Sequence, residues 1–313
     1  MPSFPKPNFV FNFDVQTEVQ NLLAHKDTRQ IPEKSMDRLL LGSWNVANLG
    51  LHIRHADHYK LLAEIIGWFD IIAIQEVNDN LEGLKAIESE LPAEYNLIFS
   101  DKGGNNERSA IIYDSTIINQ LELVGEIAVP PKDHRYIKLT GVAQKFTGFD
   151  RNPYMCSFQW KNKIFVLITV HSFSGKDVRY DLERRALEAL AIGRYADLRN
   201  KSNNTFSKNI IAVGDFNIPK TEKGDVVYDA LVKRGLKLPE HSTKVYSNIT
   251  NDKTYDQIAF LPSIKSKIVR HGVFDYDTKI FPNLWNSMTA LDFRAYLRYY
   301  ISDHRPLWMQ LDL

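Results

Sequence analysis

Residues 210–217 read IIAVGDFN and residues 301–308 read ISDHRPLW, and these two stretches decide the fold expected for the chain. Each joins an apolar run of strand length to polar residues: Asp215 ends the first run, and Asp303 and His304 precede the second. Polar side chains at the end of a strand lie where the edge of a sheet opens to a cleft. The two stretches therefore predict a cleft formed by strand ends that are far apart in the sequence.

The same combination of an apolar run and an adjoining polar residue recurs along the chain. The residues that share it are Asn45, Glu76, Glu107, His171, Asp215, Asn217, Asp256, Asp303 and His304. Hydrolysis of a phosphodiester needs groups that neutralise negative charge, activate water and protonate the leaving oxygen. Carboxylates suit Mg²⁺, Mn²⁺ or Ca²⁺, histidines move protons near neutral pH, and a carboxylate behind a histidine fixes its tautomer. If the strands are neighbours, these residues predict a hydrolytic site at one mouth.

The composition is that of an ordinary folded protein. The chain has 313 residues, of which 44% are hydrophobic and 25% charged, and this length is compatible with one large α/β domain. The net charge of +1 gives no general attraction for nucleic acid, so a polyanion would have to be held by a local patch. The single cysteine, Cys156, excludes an intramolecular disulfide, and its apolar neighbours favour a place in the core over a nucleophilic role.

The sequence divides at about residue 37. Residues 1–37 are predicted to be an N-terminal extension, because three prolines in the first seven residues exclude a regular start, and residues 15–25 could form a short helix. Residues 38–313 are predicted to form the catalytic domain. No run approaches the roughly 20 apolar residues of a membrane span, and the N-terminus lacks the pattern of a signal peptide. We therefore expect a soluble cytoplasmic protein with no membrane partner.

The spacing of apolar residues predicts more strands than helices. Helices are predicted at residues 58–69, 81–91, 180–199 and 226–234. Strands are predicted at residues 39–44, 71–74, 95–99, 109–113, 154–160, 164–170, 209–213, 254–261 and 306–311. Because several strands follow one another without a helix, we expect two mixed sheets packed face to face, with helices outside.

Seven motifs together resemble the endonuclease/exonuclease/phosphatase superfamily, and most of all deoxyribonuclease I and its bacterial relatives. The motifs are SWNVANLG, IIAIQEVND, NNERSAIIY, TVHS, VGDFN, TYDQI and ISDHRPLW, in the order expected of the superfamily over about residues 38–313. The resemblance implies an α/β fold with four layers, in which two packed, mostly antiparallel mixed sheets are flanked by helices. It also implies a Mg²⁺-dependent hydrolase of phosphoric esters, for which we expect a nuclease acting on DNA or RNA.

The resemblance implies a role for each candidate residue. The implied metal ligands are Glu76, Asn45 and Asp303, with Glu76 the principal one. The implied catalytic residues are His171, His304, Asp256, Asp215, Asn217 and Glu107. The substrate phosphate is expected to contact Arg151 and Asn217.

The two histidines are expected to divide the proton transfers. His304, backed by Asp256, would activate the water, and His171, backed by Glu107, would protonate the leaving oxygen, since in-line attack places these atoms on opposite sides of phosphorus. Asp215 is a rival activator of the water.

Two departures from the deoxyribonuclease pattern bear on the substrate. Asn78 follows Gln-Glu-Val where that family has an arginine for the minor groove, and Ala47 replaces a polar or charged residue. Both leave the hydrolytic residues intact but weaken the case for regular duplex DNA. A phosphatase, or a lipid or small-molecule phosphodiesterase, on the same scaffold is therefore an alternative. An inactive binding module is an alternative of another class, although no metal or histidine position is lost.

Three further features have an ordinary interpretation. His52, His55 and His58 have a spacing that could suggest zinc, but we interpret them as solvated residues of a surface loop. The segment Phe293–Tyr300 could stack on nucleic acid or could fill the core. Arg108 could anchor Glu107 or a phosphate, or pair with a neighbouring acid, and it is left out of the site.

Overall fold

The computed structural model describes residues 3–239 and 245–313, and these form two β-sheets. The strands of the first sheet are β1 Leu39–Leu49, β2 Ile71–Asn78, β3 Tyr95–Phe99, β4 Glu107–Asp114, β10 Ile268–Val273 and β11 Leu307–Leu311. Their order across the sheet is β10-β11-β1-β2-β4-β3. All residues of β1 are buried, because this central strand has packed layers on both faces.

The second sheet has the order β5-β6-β7-β8-β9. Its strands are β5 Ile118–Glu126, β6 Tyr154–Trp160, β7 Lys163–His171, β8 Ile210–Asp215 and β9 Asp256–Phe260. In the two sheets together, β1 pairs with β2 and β7 with β8 in parallel, and the other seven pairings are antiparallel. The expectation of two mostly antiparallel mixed sheets is confirmed.

Helices cover the outer face of each sheet. They are α1 Val15–Thr28, α2 Ala56–Gly67, α3 Glu82–Glu88, α4 Arg179–Lys201, α5 Val226–Val232, α6 Pro282–Ser287 and α7 Ala290–Tyr300. One apolar core lies between the two sheets, a second joins the first sheet to α1, α2, α3, α6 and α7, and a third joins the second sheet to α4 and α5. The predicted four-layer α/β sandwich is therefore confirmed. Across the described parts of the chain, no helix combines the length and apolar character needed to cross a bilayer.

The predicted strands and helices are present with shifted ends. The strand predicted at residues 39–44 continues to Leu49, and the strand predicted at residues 71–74 continues to Asn78, because each passes through an irregularity in its pairing. Strands β5 and β10 lie outside the predicted strands. Both consist largely of exposed or half-buried residues, so neither contains the apolar run that marks a buried strand.

The interpretation of the histidine cluster as solvated is wrong for two of its members. His52 and His58 are each 2% exposed. The ring of His52 stacks on Tyr299 with 4.3 Å between centroids, and that of His58 stacks on Tyr300 at 4.5 Å. Burial lowers the pKa of His58 to about 3, so its ring is neutral at physiological pH. These histidines are aromatic members of the core, and His55 alone is exposed.

The segment Phe293–Tyr300 belongs to α7, and most of its apolar residues fill the core. Its Phe293, Tyr296 and Tyr299 are each at most 7% exposed. The hypothesis that these rings stack on nucleic acid is therefore wrong, because their faces are covered by other parts of the chain. The sequence alone left the two interpretations equal, since aromatic residues suit both.

The segment before residue 37 packs against the helices of the first layer. Leu22 of α1 is fully buried, and Phe9 stacks on Tyr296 with 5.9 Å between centroids. The carboxylate of Glu18 accepts a hydrogen bond of 2.8 Å from the backbone N–H of Phe281. The boundary at residue 37 stays a prediction, but residues 3–36 pack against the core that joins the first sheet to its helices.

A buried acid at the start of β2 generates a prediction about stability. Asp70 is fully buried, and one of its carboxylate oxygens accepts a hydrogen bond of 2.7 Å from the N–H of Leu40. Burial raises the pKa of Asp70 to about 6. The folded state thus holds this proton more tightly than the unfolded state, and the stability from the neutral form is lost as the pH rises through about 6.

We expect Asp70→Asn to stabilise the protein at pH 7 by roughly 1–3 kcal/mol, because an amide oxygen keeps the bond to Leu40 and the buried charge is gone. The difference between variant and wild type should shrink toward zero at pH 4, where the wild-type carboxyl is protonated. Urea unfolding of both proteins at the two pH values measures this difference. A gain of equal size at both pH values would contradict the buried-charge explanation.

Candidate active site

The predicted site residues come from strand ends that face one mouth of the sandwich. The two parallel pairs, β1 with β2 and β7 with β8, end there, and the antiparallel neighbours β4 and β9 begin there. His171 and Asp215 are the last residues of β7 and β8, and Glu107 and Asp256 are the first residues of β4 and β9. Pairing registers place His171 beside Asp215, and Asp215 beside Asp256. The sheet topology thus brings together residues that lie far apart in sequence.

One histidine is backed by a buried carboxylate and an arginine. Nδ1 of His171 lies 2.8 Å from Oε2 of Glu107, which in turn lies 2.7 Å from Nε of Arg151. All three residues are at most 7% exposed. Burial alone would raise the pKa of Glu107, but the cations of His171 and Arg151 outweigh it and lower that pKa. Burial and Arg151 oppose protonation of His171, but the carboxylates of Glu107 and Asp215 outweigh them and raise its pKa.

The second histidine has the same arrangement without an arginine. Nδ1 of His304 and Oδ2 of Asp256 form a hydrogen bond of 2.8 Å. The N–H of Asp256 donates to the hydroxyl of Ser247 at 3.0 Å, which fixes the start of β9. Burial opposes protonation of His304, but the carboxylates of Asp256 and Asp215 raise its pKa well above the ordinary value. Both imidazoles therefore present an Nε2 whose protonated form is stabilised by acids.

Asp215 lies between the two imidazoles. Its Oδ2 is 3.7 Å from Nε2 of His171 and 3.8 Å from Nε2 of His304. Its Oδ1 accepts a hydrogen bond of 2.8 Å from the N–H of Asn217. The side chain of Asn217 donates to the carbonyl of Ser172 at 3.1 Å, which ties this loop to the end of β7. Asp215 is therefore within reach of whatever atom both histidines approach.

Glu76 and Asn45 complete the polar cluster on the side of the first sheet. The amide of Asn45 donates to Oε1 of Glu76 at 3.0 Å and to Oδ2 of Asp215 at 3.1 Å. The other oxygen of Glu76 accepts a hydrogen bond of 2.9 Å from the N–H of Asn48. Nε2 of His171 is 4.0 Å from Oε1 of Glu76. One amide thus links the carboxylates of the two sheets.

Several of these positions have left-handed backbone conformations. Asn48, Glu76 and Asn217 have φ values of 51°, 60° and 51°. Such values cost energy for residues other than glycine, and least for asparagine. Glu76 lies between Ile74 and Val77, where the pairing of β2 with β4 shifts its register, so the irregular backbone aims its carboxylate into the mouth.

The donors fit a hard divalent cation. Carboxylate or imidazole atoms of Asp215, Asp256 and His304 lie within 4.8 Å of one another. Oδ1 of Asn45 is buried and has no hydrogen-bond partner among the described residues, so it is a polar atom that a bound cation could satisfy. The carboxylates of Glu76 and Asp215 share the amide of Asn45, and oxygen donors of this kind suit Mg²⁺, Mn²⁺ or Ca²⁺.

Two predicted residues already have charged partners. Oδ2 of Asp303 lies 2.9 Å from Nε of Arg298, and no contact joins it directly to Glu76 or Asn45 among the described residues. The guanidinium of Arg151 is held by Glu107 and also donates to the carbonyl of Ser172 at 3.2 Å. Asp303 as a metal ligand and Arg151 as a phosphate contact stay predictions.

Basic residues that border the cluster are also paired with acids. Arg108 lies beside Asp79 with 2.5 Å between Nη2 and Oδ1, so its interpretation as a partner of a neighbouring acid is confirmed. Nζ of Lys253 lies 2.5 Å from Oδ2 of Asp177. Charge pairing of this kind leaves these cations partly neutralised before any substrate binds.

Sequence reasoning missed three residues that hold the site together. Gln75 donates to the hydroxyl of Thr169 at 2.9 Å, a direct bond between the two sheets beneath Glu76. The hydroxyl of Ser302 donates to the carbonyl of Asn45 at 2.6 Å. The only sequence signal for Gln75 and Ser302 is that each directly precedes a predicted site residue.

Comparison with solved structures identifies the fold. An endonuclease/exonuclease/phosphatase family protein from Bacteroides thetaiotaomicron matches with a TM-score of 0.53 at 20% identity, over 88% of this chain and 94% of that one. A mannosyl-6-phosphatase from the same organism matches with 0.52 at 20%, over 87% and 98%. The chain has the deoxyribonuclease I-like fold of this superfamily.

A third structure has the same fold with a ligand of known class. TDP2 from D. rerio, complexed with a single-strand DNA product, matches with a TM-score of 0.57 at 14% identity, over 87% of this chain and 98% of that one. No protein-family model matches the chain, and no curated protein matches its sequence. At these identities the likeness concerns the fold.

The pairing of His304 with Asp256 generates a prediction about its proton affinity. We expect Asp256→Asn to lower the pKa of His304 by about one unit or more, because the closest carboxylate that stabilises the imidazolium is removed. An NMR titration of the imidazole nitrogens in chelator-treated protein measures the shift. The imidazole signals of His134, whose Nε2 contacts the carbonyl of Val129, are the internal control and should be the same in variant and wild type. An unaltered pKa of His304 would show that the pair does not govern its charge.

Proposed function

We propose that this protein is a divalent-metal-dependent phosphodiesterase that hydrolyses nucleic acid. The observation that carries the proposal is the position of Asp215, which lies within 4 Å of the Nε2 atoms of two carboxylate-backed histidines. In-line displacement at phosphorus needs one group to take a proton from the attacking water and another, on the opposite side of phosphorus, to give a proton to the leaving oxygen. A binding module would have no need of this arrangement.

Mg²⁺ is the proposed cofactor, with Mn²⁺ or Ca²⁺ as substitutes. Glu76 and Asp215 would hold it through carboxylate oxygens. Asn45 would hold it through Oδ1 once its amide, which donates to both carboxylates, turned over. Asp303 would join them if its carboxylate turned away from Arg298. When bound, the cation would neutralise the charge that develops on the phosphate oxygens. The protein supplies two pre-positioned carboxylates, because the bulged backbone at Glu76 and the amide of Asn45 fix both of them.

Side chains of the protein would carry out the proton transfers and would orient the substrate. His171, with a raised pKa, holds a proton at Nε2 that it can give to the leaving oxygen. His304, backed by Asp256, is the proposed activator of the water, with Asp215 as its rival. The acids around His304 favour its protonated form, and the charge of a nearby cation acts in the opposite sense, toward the neutral base. Asn217 orients the phosphate or the water without adding charge.

A second candidate is a phosphatase that acts on a small phosphomonoester. The observation in its favour is the pairing of Arg151, Arg108 and Lys253 with acids, which weakens the attraction for the many phosphates of a long polyanion. Solved structures of this fold include both kinds of protein, a mannosyl-6-phosphatase and TDP2 with single-strand DNA. The diester proposal predicts cleavage of single-stranded or distorted nucleic acid at least as well as of regular duplex.

We expect the purified protein to nick supercoiled plasmid and to cut single-stranded DNA or RNA only with Mg²⁺ or Mn²⁺ present. EDTA should abolish this activity, and Glu76→Ala should lower it by about 100-fold or more without unfolding, because a carboxylate ligand is lost. Glu88→Ala, which removes an exposed glutamate of α3, is the matched control and should retain full activity.

The same assays separate the alternatives. Hydrolysis of sugar or inositol phosphomonoesters with intact plasmid would establish the phosphatase candidate. Full activity in EDTA would contradict the proposal that the enzyme depends on a divalent metal. A protein that binds a phosphoester but hydrolyses none would be a binding module.

The division of roles between the histidines is tested with a nitrophenyl phosphodiester, whose leaving group needs little protonation. We expect His171→Ala to lose much less activity on this substrate than on nucleic acid, because its proton is no longer needed. His304→Ala should lose activity on both. Equal losses for both variants on both substrates would contradict the division of roles and would leave the proposal of a metal-dependent hydrolase standing.

A further inference from the structure

Arg54 is a buried cation that bonds only to backbone carbonyls. Its side chain is 6% exposed. Nη2 donates to the carbonyls of Ala47 at 2.5 Å and of Ile301 at 3.2 Å. Nε donates to the carbonyl of Tyr300 at 3.0 Å, and Nη1 donates to that of Asn48 at 3.3 Å. No acid lies within ion-pair distance of this guanidinium among residues 3–239 and 245–313.

Burial of an arginine in this way costs free energy of folding unless its hydrogen bonds compensate for the lost hydration. A buried cation loses its hydration, and here no carboxylate lies within ion-pair distance. The more distant carboxylate of Glu76 favours the cation but does not outweigh the effect of burial. Burial accordingly lowers the pKa of Arg54 to about 10. A planar guanidinium has five N–H donors in a fixed fork, so it can reach four carbonyls at once, whereas an ammonium has three donors at one point.

The four carbonyls belong to two segments that carry site residues. Ala47 and Asn48 lie in the irregular part of β1, and the N–H of Asn48 donates to Glu76. Tyr300 is the last residue of α7 and Ile301 follows it, and only Ser302 separates Ile301 from Asp303 and His304. Carbonyls at the end of a helix have no partner within it, and a cation there is favoured by the helix dipole.

A hydroxyl makes a second link between the same two segments. Ser302 donates to the carbonyl of Asn45 at 2.6 Å and accepts from the N–H of Ala47 at 3.3 Å. It also accepts from the N–H of His304 at 3.0 Å. Arg54 and Ser302 therefore each join residues 45–48 to residues 300–304.

We propose that Arg54 is a positioning residue, which fixes the segment that orients Glu76 to the segment that presents His304. The proposal rests on the proposed function, because it is the hydrolytic site that these two segments form. Among the described residues, no hydrogen bond or ion pair joins Arg54 to a proposed catalytic side chain, and it acts through the backbone of both segments. Its loss would let the two halves of the site move relative to each other.

The test removes the guanidinium and then returns it. We expect Arg54→Ala to lower kcat/KM on the nitrophenyl phosphodiester by about 100-fold, as misplacement of catalytic groups by about 1 Å does. Its affinity for Mn²⁺, measured by calorimetry, should fall by about 10-fold. Methylguanidinium at millimolar concentration fits the space left by the side chain and should restore a large part of both. Methylammonium at the same concentration should restore little, since it lacks the planar fork.

Two further measurements cover the other outcomes. If Arg54→Ala does not fold, Arg54→Lys keeps the charge without the planar fork, and it should fold with reduced Mn²⁺ affinity. Hydrogen exchange at the amide of Asn48 should speed up in either variant, and this readout stands even if the wild type hydrolyses no phosphoester. Arg29→Ala, which loses an ion pair with Asp275 away from the site, is the control and should leave Mn²⁺ affinity unchanged.

The proposal is overturned if a folded Arg54 variant keeps wild-type Mn²⁺ affinity and wild-type exchange at Asn48. It is also overturned if methylguanidinium and methylammonium restore function equally, because the geometry of the fork would then be irrelevant. A wild-type protein that neither binds Mn²⁺ nor hydrolyses any phosphoester would refute the proposed function, and the exchange at Asn48 would still decide the role of Arg54.

Discussion

The charge of Asp215, held out of water between two histidines, is the constraint that the rest of the site satisfies. A buried carboxylate is stable only when neighbouring cations or donors offset its lost hydration. The cluster contains four carboxylates, Glu76, Glu107, Asp215 and Asp256, and three groups that can be positive, His171, His304 and Arg151. With all of them charged, the sum is one negative charge. A bound cation would therefore reverse the sign of the cluster, which suits it to receive an anionic ester.

The fold meets this constraint through the polarity of its strands. Both parallel pairs end at the mouth, so their last residues, among them His171 and Asp215, meet there. The antiparallel neighbours β4 and β9 begin at the same place and supply the carboxylates Glu107 and Asp256 behind the histidines. Each imidazole thus comes from one segment and its acid from another, and the packing of the two sheets sets the distance between them.

The sequence predicted the two sheets and the chemistry of the mouth because both leave local signals. Apolar runs mark the strands, and an acid or histidine beside a run marks its end, as at Asp215 and His304. What it could not predict depends on long-range packing. His52 and His58 belong to a stretch that the sequence alone indicates as a surface loop, yet rings from α7 cover them. Nothing in the sequence distinguishes Arg54 from other loop arginines, because two of its hydrogen-bond partners lie about 250 residues away in the chain.

The position of β11 affects how the protein is made. It is an interior strand of the first sheet, between β10 and β1, and Leu39 pairs with Leu311, a partner 272 residues later in the chain. His304 is synthesised just before this strand. A nascent chain on the ribosome can therefore fold parts of the sandwich, but it cannot complete the mouth until its last central strand has emerged. The mouth can therefore form only after the other ten described strands of the two sheets have been made.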